Sequence, residues 1–207
     1  MKKALLKNLL LIFLLSFELT GCYKRNFYED PDDPGLSRFT NRSYNVTSAY
    51  INSEPWVSVF SGSLSGAYHT SIFWDSTSAS RDTLHITWRG EFSDQSLSFL
   101  SPWSDWRFLS FSMPVKKNFS KEDFLGFNGK IFPADSTTVT VTLSPYEFIS
   151  PAPSVSGTGK IYFVKVNAGP HDREFTISGL FEGTLGSVLI TKGRFDYRIT
   201  PADHNLR

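Results

Sequence analysis

The 207-residue chain has a single cysteine, Cys22, so no internal disulfide can staple it and its fold must rest on its core. It has no excess of either charge. Its 21 basic residues face 20 acidic ones, which gives no global field for nucleic acid. Histidine is scarce too. His69, His85, His171 and His204 nowhere fall at H-x-H or H-x-x-x-H spacing, so no local metal cluster is signalled. A serine-hydrolase elbow reads G-x-S-x-G, whereas Gly62-Ser63-Leu64-Ser65-Gly66 places leucine at the nucleophile position. Glu91, Asp94, Asp105 and Glu147 are carboxylates of the kind glycosidases pair, but they share no recognisable spacing. No repeat of fixed period is present. These absences leave no catalytic residue, cofactor or metal to name, and the expectation is a protein that is not an enzyme.

What is present begins at the N-terminus. Lys2, Lys3 and Lys7 precede the apolar run Leu9 to Leu15, extended by Phe17. That run is too short for a permanent span, which needs about 20 residues, but it suits a signal sequence. Leu19-Thr20-Gly21-Cys22 follows and resembles the lipobox of bacterial lipoproteins. The resemblance implies lipid transfer to the Cys22 thiol and cleavage after Gly21, making residues 1–21 a signal peptide. Cys22 is then acylated and unavailable for catalysis. The segment carries three lysines and one glutamate, so its removal turns a net charge of +1 into −1. Several acyl chains anchor stably where one binds only marginally. Position 23 is Tyr rather than Asp, and acids start only at Glu29, which points to the periplasmic face of the outer membrane ahead of the cell surface.

Residues 22–45 read as a lipid-anchored flexible tether. Glu29-Asp30-Pro31-Asp32-Asp33-Pro34-Gly35 is acidic and broken by Pro and Gly, and Pro34 stands where a calcium loop wants a ligand. From residue 46 to 200 the hydrophobic period is two. Leu84, Ile86, Trp88 and Phe92 alternate with His85, Thr87, Arg89 and Glu91. Val139, Val141 and Leu143 alternate with threonines, and Phe175, Ile177, Phe181 and Leu185 with polar residues. Tyr68–Trp74, Trp106–Met113 and Gly159–Asn167 read as further strands, the last apolar on both faces and so central. Ser150–Gly159 is Pro-, Ser- and Gly-rich and reads as a loop. Gly186-Ser187 makes a two-residue hairpin turn. That turn sets Leu185 opposite Val188 and Gly183 opposite Ile190. The apolar parity then changes from even (Val188, Ile190) to odd (Phe195, Tyr197, Ile199), which calls for a bulge at Lys192-Gly193. With it, Phe195 faces Gly179, Tyr197 faces Ile177 and Ile199 faces Phe175. Ser120 and Asp123 form a capping box for a short turn ending near Leu125. Residues 201–207 read as a C-terminal tail.

Many short strands with frequent turns make an all-β fold, an antiparallel β-sandwich, with a lipocalin-like closed barrel as the alternative. Ser178-Gly179-Leu180-Phe181-Glu182-Gly183-Thr184-Leu185 and Ile190-Thr191-Lys192-Gly193-Arg194-Phe195-Asp196 resemble the ending "SGtFeGtl…iTnGrFdv" of small uncharacterised Bacteroidetes lipoproteins. Tyr50-Ile51-Asn52-Ser53-Glu54-Pro55-Trp56 resembles their first strand and turn, with Ser53 where glycine is usual. The resemblance implies an all-β lipoprotein and supplies no catalytic residues.

Aromatics are abundant, with 19 Phe, 8 Tyr and 5 Trp, enough for a sizeable core. Trp88 falls on the apolar face of its strand and reads as core. Trp103 and Trp106, flanking Ser104-Asp105 beside Pro102, are the candidate ligand contacts, because loop aromatics can stack on sugar rings. Asp75-Ser76-Thr77, Asp82-Thr83-Leu84 and Asp135-Ser136-Thr137 resemble the O-glycosylation pattern of exported Bacteroidetes proteins. The functional expectation is a non-catalytic envelope module that binds a glycan or a protein partner, or alternatively a lipocalin-like carrier of an apolar ligand. A hydrolase stands third.

Overall fold

The computed structural model describes residues 28–59, 70–76, 79–92, 107–133, 139–145, 154–171, 173–201 and 204. The strands are β1 (Glu29–Asp30), β2 (Asp33–Ser37), β3 (Val46–Ile51), β4 (Glu54–Val59), β5 (Thr70–Asp75), β6 (Arg81–Phe92), β7 (Arg107–Lys116), β8 (Ile131–Phe132), β9 (Thr140–Pro145), β10 (Val155–Ala168), β11 (Phe175–Leu185) and β12 (Val188–Ile199). Among the described residues a short helix, α1 (Lys121–Leu125), lies between β7 and β8.

The strands pair antiparallel in the order β11-β12-β3-β4-β6-β7-β9-β10, and β10 returns to β11. The sheet therefore closes into an eight-stranded barrel rather than splitting into a sandwich. The reason lies in the long strands. Both flanks of β10 are taken, by β11 on one side and by β9 and β8 on the other, so no edge remains to divide two layers. β5 lies against β6, extending the wall beside β4.

The hairpin registers follow the sequence parity. Leu185 pairs with Val188, Gly183 with Ile190, Gly179 with Phe195, Ile177 with Tyr197 and Phe175 with Ile199. The extra residue lies between Thr191 and Gly193, where Lys192 takes the left-handed region (φ 51°) and Gly193 sits opposite Phe181. The bulge thus centres on the lysine rather than on the glycine. Asn52 (φ 50°) and Ser53 (φ 70°) form a type I′ turn, so a serine does what a glycine usually does there.

Three expectations fail. Residues 155–159 belong to β10, not to a loop. Their glycines serve close packing: a Cβ on Gly157 would meet the Thr184 carbonyl oxygen at 2.0 Å, and one on Gly159 would meet Val141 Cγ2 at 1.9 Å. The stretch 29–37, expected as solvated tether, is a strand pair with Leu36 buried against the barrel. At the other end His204, expected in a free tail, is buried. It makes a parallel bridge to Ile72 and packs edge-on against Phe175.

The barrel interior is filled with rings. Trp88 stacks on Phe181 (5.3 Å between centroids) and meets Phe111 edge-on (5.8 Å) and Phe195 obliquely (5.3 Å). α1 closes one end. Ser120 caps it as predicted, accepting from the Asp123 amide while Asp123 accepts from Ser120. The helix drives Phe124 inward against Phe163 (6.1 Å) and Phe175 (5.3 Å). Phe119, Phe127 and Phe132 continue the plug.

Candidate functional site

Cys22, Trp103 and Trp106 lie outside the described residues, as do His69, Asp94, Asp105 and Glu147. Trp88 is fully buried in the core, as its strand parity requires. Of the three tripeptides, 135–137 falls outside. Asp82 has no exposed surface, which leaves Thr83 inside the β6 ladder, and Ser76 lies exposed at the end of β5. The described residues contain no grouping of three or more His, Cys, Asp or Glu able to hold a metal, and no helix long and apolar enough to cross a membrane.

The parity that buries Leu84, Ile86 and Trp88 turns the alternate residues of β6 outward, and the same holds for β7, β9 and β10. The outward residues align across the strands. One row runs Phe73, His85, Ser112, Thr140, Thr158. The next runs Ser71, Thr87, Ser110, Thr142, Ser156. Above it lie Phe108, Ser144 and Ser154. Adjacent strands stand about 4.8 Å apart and successive outward residues about 7 Å apart, so the wall is a two-dimensional array of hydroxyls. Neighbours bond across the strands: Thr87 to Ser110 (2.9 Å), Thr142 to Ser156 (3.2 Å) and Ser154 to Ser144 (3.1 Å). Each hydroxyl offers one donor and two acceptor positions, so a bonded pair keeps capacity for a further partner.

At one edge of the array His85 joins three strands. Its Nδ1 shares a hydrogen bond with Ser112 Oγ (2.9 Å), its Nε2 lies 3.5 Å from Asp75 Oδ2, and its ring stacks on Phe73 (4.7 Å, 13° between planes). Phe73 remains 40% exposed, so one face of the stack meets solvent. The serine–histidine–aspartate order resembles a nucleophile with its base. Acyl transfer also needs N–H groups aimed at the developing oxyanion. Ser112 lies where β7 pairs on both sides, with His85 on β6 and Thr140 on β9, so the sheet ladders occupy that backbone. The three side chains sit on a convex wall, and their geometry positions an aromatic platform.

The opposite wall is covered. The hairpin β1–β2 lies over the outer faces of β12, β3 and β4. Buried Arg194 donates to Asp30 (2.6 Å), to the Ser37 carbonyl (3.1 Å) and to Asp33, and Lys192 also pairs with Asp33. Hydrogen bonds from Lys192 and Arg194 hold the Asp33 carboxyl below the usual carboxylate range, and Asp33 in turn raises the Lys192 ammonium above its ordinary value. Ser37 N donates to Ser48 Oγ (3.0 Å) and the Tyr50 hydroxyl to the Pro34 carbonyl (2.9 Å). The following loop is fixed by Asp196, whose carboxylate accepts from the amides of Arg42 (3.0 Å) and Ser43 (2.8 Å) and from Thr40.

Sequence reasoning placed His85 on the polar face of its strand but missed its partners. The signal was the cross-strand register, which sets Phe73 and Ser112 beside it.

The fold and its two walls define a closed antiparallel barrel with a filled interior, one wall covered and the other a bare array of hydroxyls. Compared with known families, curated proteins and solved structures, the chain matches none.

Proposed function

We propose that this chain is a lipid-anchored envelope lipoprotein whose barrel binds a neutral glycan on the hydroxyl wall of β6, β7, β9 and β10, without catalysis. The observation that carries the reading is the paired rows of uncharged hydroxyls beside the Phe73–His85 stack. A sugar chain presents hydroxyls that exchange hydrogen bonds with such rows, and an apolar ring face that lies on an aromatic side chain. The two principal rows carry no Asp, Glu, Lys or Arg, which favours an uncharged polymer over an anionic one. Phe73 and the strand hydroxyls thus join Trp103 and Trp106, which lie outside the described residues, as candidate contacts. The lipobox-like Leu19 to Cys22 supports the anchor, and Tyr23 supports the periplasmic face of the outer membrane.

A carrier of an apolar ligand needs interior volume, and the barrel core is occupied by Trp88, Phe111, Phe181 and Phe195 at ring-contact distances. Among the described residues the outer wall is the surface that supports recognition.

The test is affinity electrophoresis of the protein through gels containing neutral polysaccharides or an anionic one. Retardation by a neutral polymer, weakened by Phe73→Ala and by Ser110→Lys, supports the reading. No retardation, or retardation indifferent to both substitutions, sinks it.

A further inference from the structure

Beside the point where the chain enters the described structure lies an exposed aromatic pair. Tyr28 is 72% exposed and Tyr44 37%, and their rings meet at 5.9 Å. Tyr28 belongs to the hairpin base, where its carbonyl accepts from Arg38 N (2.7 Å). Tyr44 belongs to the loop that Asp196 fixes, and its amide lies 3.3 Å from that carboxylate. Both rings are thus held on the covered side of the barrel, one by the β1–β2 hairpin and the other by β12. Exposed tyrosines of this kind, apolar in body and polar at the tip, favour the membrane–water interface.

Cys22 precedes Tyr28 by six residues, which can span at most about 20 Å even when fully extended. A lipid on Cys22 therefore keeps the tyrosine pair within reach of the bilayer surface. The hairpin cannot swivel freely, because Arg194 and Lys192 clamp Asp30 and Asp33 and because Leu36 is buried. In the ring of eight strands β3, at the centre of the covered wall, lies three positions from β7 and four from β9, the two middle strands of the hydroxyl wall.

We infer that Tyr28 and Tyr44 seat the barrel on the headgroup region of its own membrane and that the hydroxyl wall faces away from it. The glycan taken is then a polymer beyond the membrane, not the sugar headgroup of a lipid in the anchoring leaflet. This rests on the anchor and the glycan reading given above.

The lone cysteine makes the test clean, since acylated Cys22 leaves any added thiol as the only one to label. The full lipidated chain is reconstituted in phosphatidylethanolamine–phosphatidylglycerol vesicles containing headgroup-nitroxide lipid. A fluorophore is placed on Asp32→Cys in the hairpin or on Thr140→Cys in the hydroxyl wall. Severalfold stronger quenching at position 32 is expected, and Tyr28→Ser with Tyr44→Ser should bring the two sites close to parity. Equal quenching at both sites in the parent, or stronger quenching at 140, overturns the orientation. Failure of the chain to float with vesicles overturns the anchor and the orientation with it. Polysaccharide binding is measured separately on vesicles that carry the unlabelled parent chain. Correct orientation without binding discards the glycan reading and the choice of polymer, while the seat on the membrane stands. Binding to vesicle-borne glycolipid rather than to added polymer overturns the choice of partner.

Discussion

The two walls of the barrel solve the same problem in different ways. Both are strands with one face in the aromatic core, yet the wall of β12, β3 and β4 buries its outer face under the hairpin. The wall of β6, β7, β9 and β10 leaves its outer face to solvent. On the covered wall polar groups are buried, and the central match is by charge, Arg194 to Asp30 and Asp33, joined by Asp196 to the turn amides and by the hydroxyl pair Ser37–Ser48. In the two hydroxyl rows of the bare wall they are half-exposed or exposed and matched mainly by one another, with His85 bonded to Ser112 at the edge. A buried charge that loses its partner is costly, whereas an exposed hydroxyl that loses one turns to water. The covered wall is therefore where stability is at stake, and the bare wall is free to vary for recognition.

The sharpest way to break that contrast is Arg194→Ala. It leaves Asp30 without its cation and Asp33 with Lys192 alone, and should cost about 3 kcal/mol, read by denaturant midpoint, with the hairpin becoming protease-sensitive. Between the walls, Gly179→Ala tests the interior. Its Cβ would lie 2.1 Å from the Tyr162 carbonyl oxygen and 2.4 Å from Phe195, and the overpacking should cost about 3 kcal/mol. Ser120→Ala removes the helix cap at the plugged end and should cost about 1 kcal/mol. Thr142→Ala on the bare wall should change stability by less than about 0.5 kcal/mol while weakening polysaccharide retardation, the opposite pattern to Arg194→Ala.

Acid should separate the walls as well. Asp33 titrates below its ordinary value. Burial raises the Asp82 carboxyl, but Lys117 and the amides of Asn118 and Phe119 outweigh that and leave it lowered. A carboxyl depressed on folding stabilises above its unfolded value and loses that contribution as pH falls through its folded one. The melting temperature should hold near neutrality and drop below about pH 4. Asp33→Asn should shrink that drop, and Thr142→Ala should leave it unchanged. Lys192, raised on folding, contributes below its unfolded value and loses this as pH climbs through the folded one.

Much of the strand pattern was legible because parity survives any topology. Leu84, Ile86 and Trp88 must share a face wherever β6 lies, and Gly186-Ser187 fixes its own register. Closure was legible only as the alternative to a sandwich, because pairing β10 to β11 and β3 to β12 at once is a property of the whole ring. The hairpin was misread because Asp30 and Asp33 look solvated until Arg194, more than 160 residues away, is placed beneath them. The hydroxyl rows escaped notice for a similar reason. Ser110, Thr142 and Ser156 lie far apart in sequence and become neighbours only through the ladders.

The pairing of β3 with β12 also sets an order of assembly. The first barrel strand pairs with β4 at once, but its other edge stays open until β12 has been made, to residue 199. Joining segments so distant is entropically slow, so the late strands, β10 to β12, are free to form their meander first and to serve as the template. The amino-terminal hairpin, first to emerge from the ribosome, docks last, because Arg194 and Lys192 must be in place before it. A newly made chain thus passes through a stage in which its two end strands each present one open edge, and an escort that shields such edges would act during that interval.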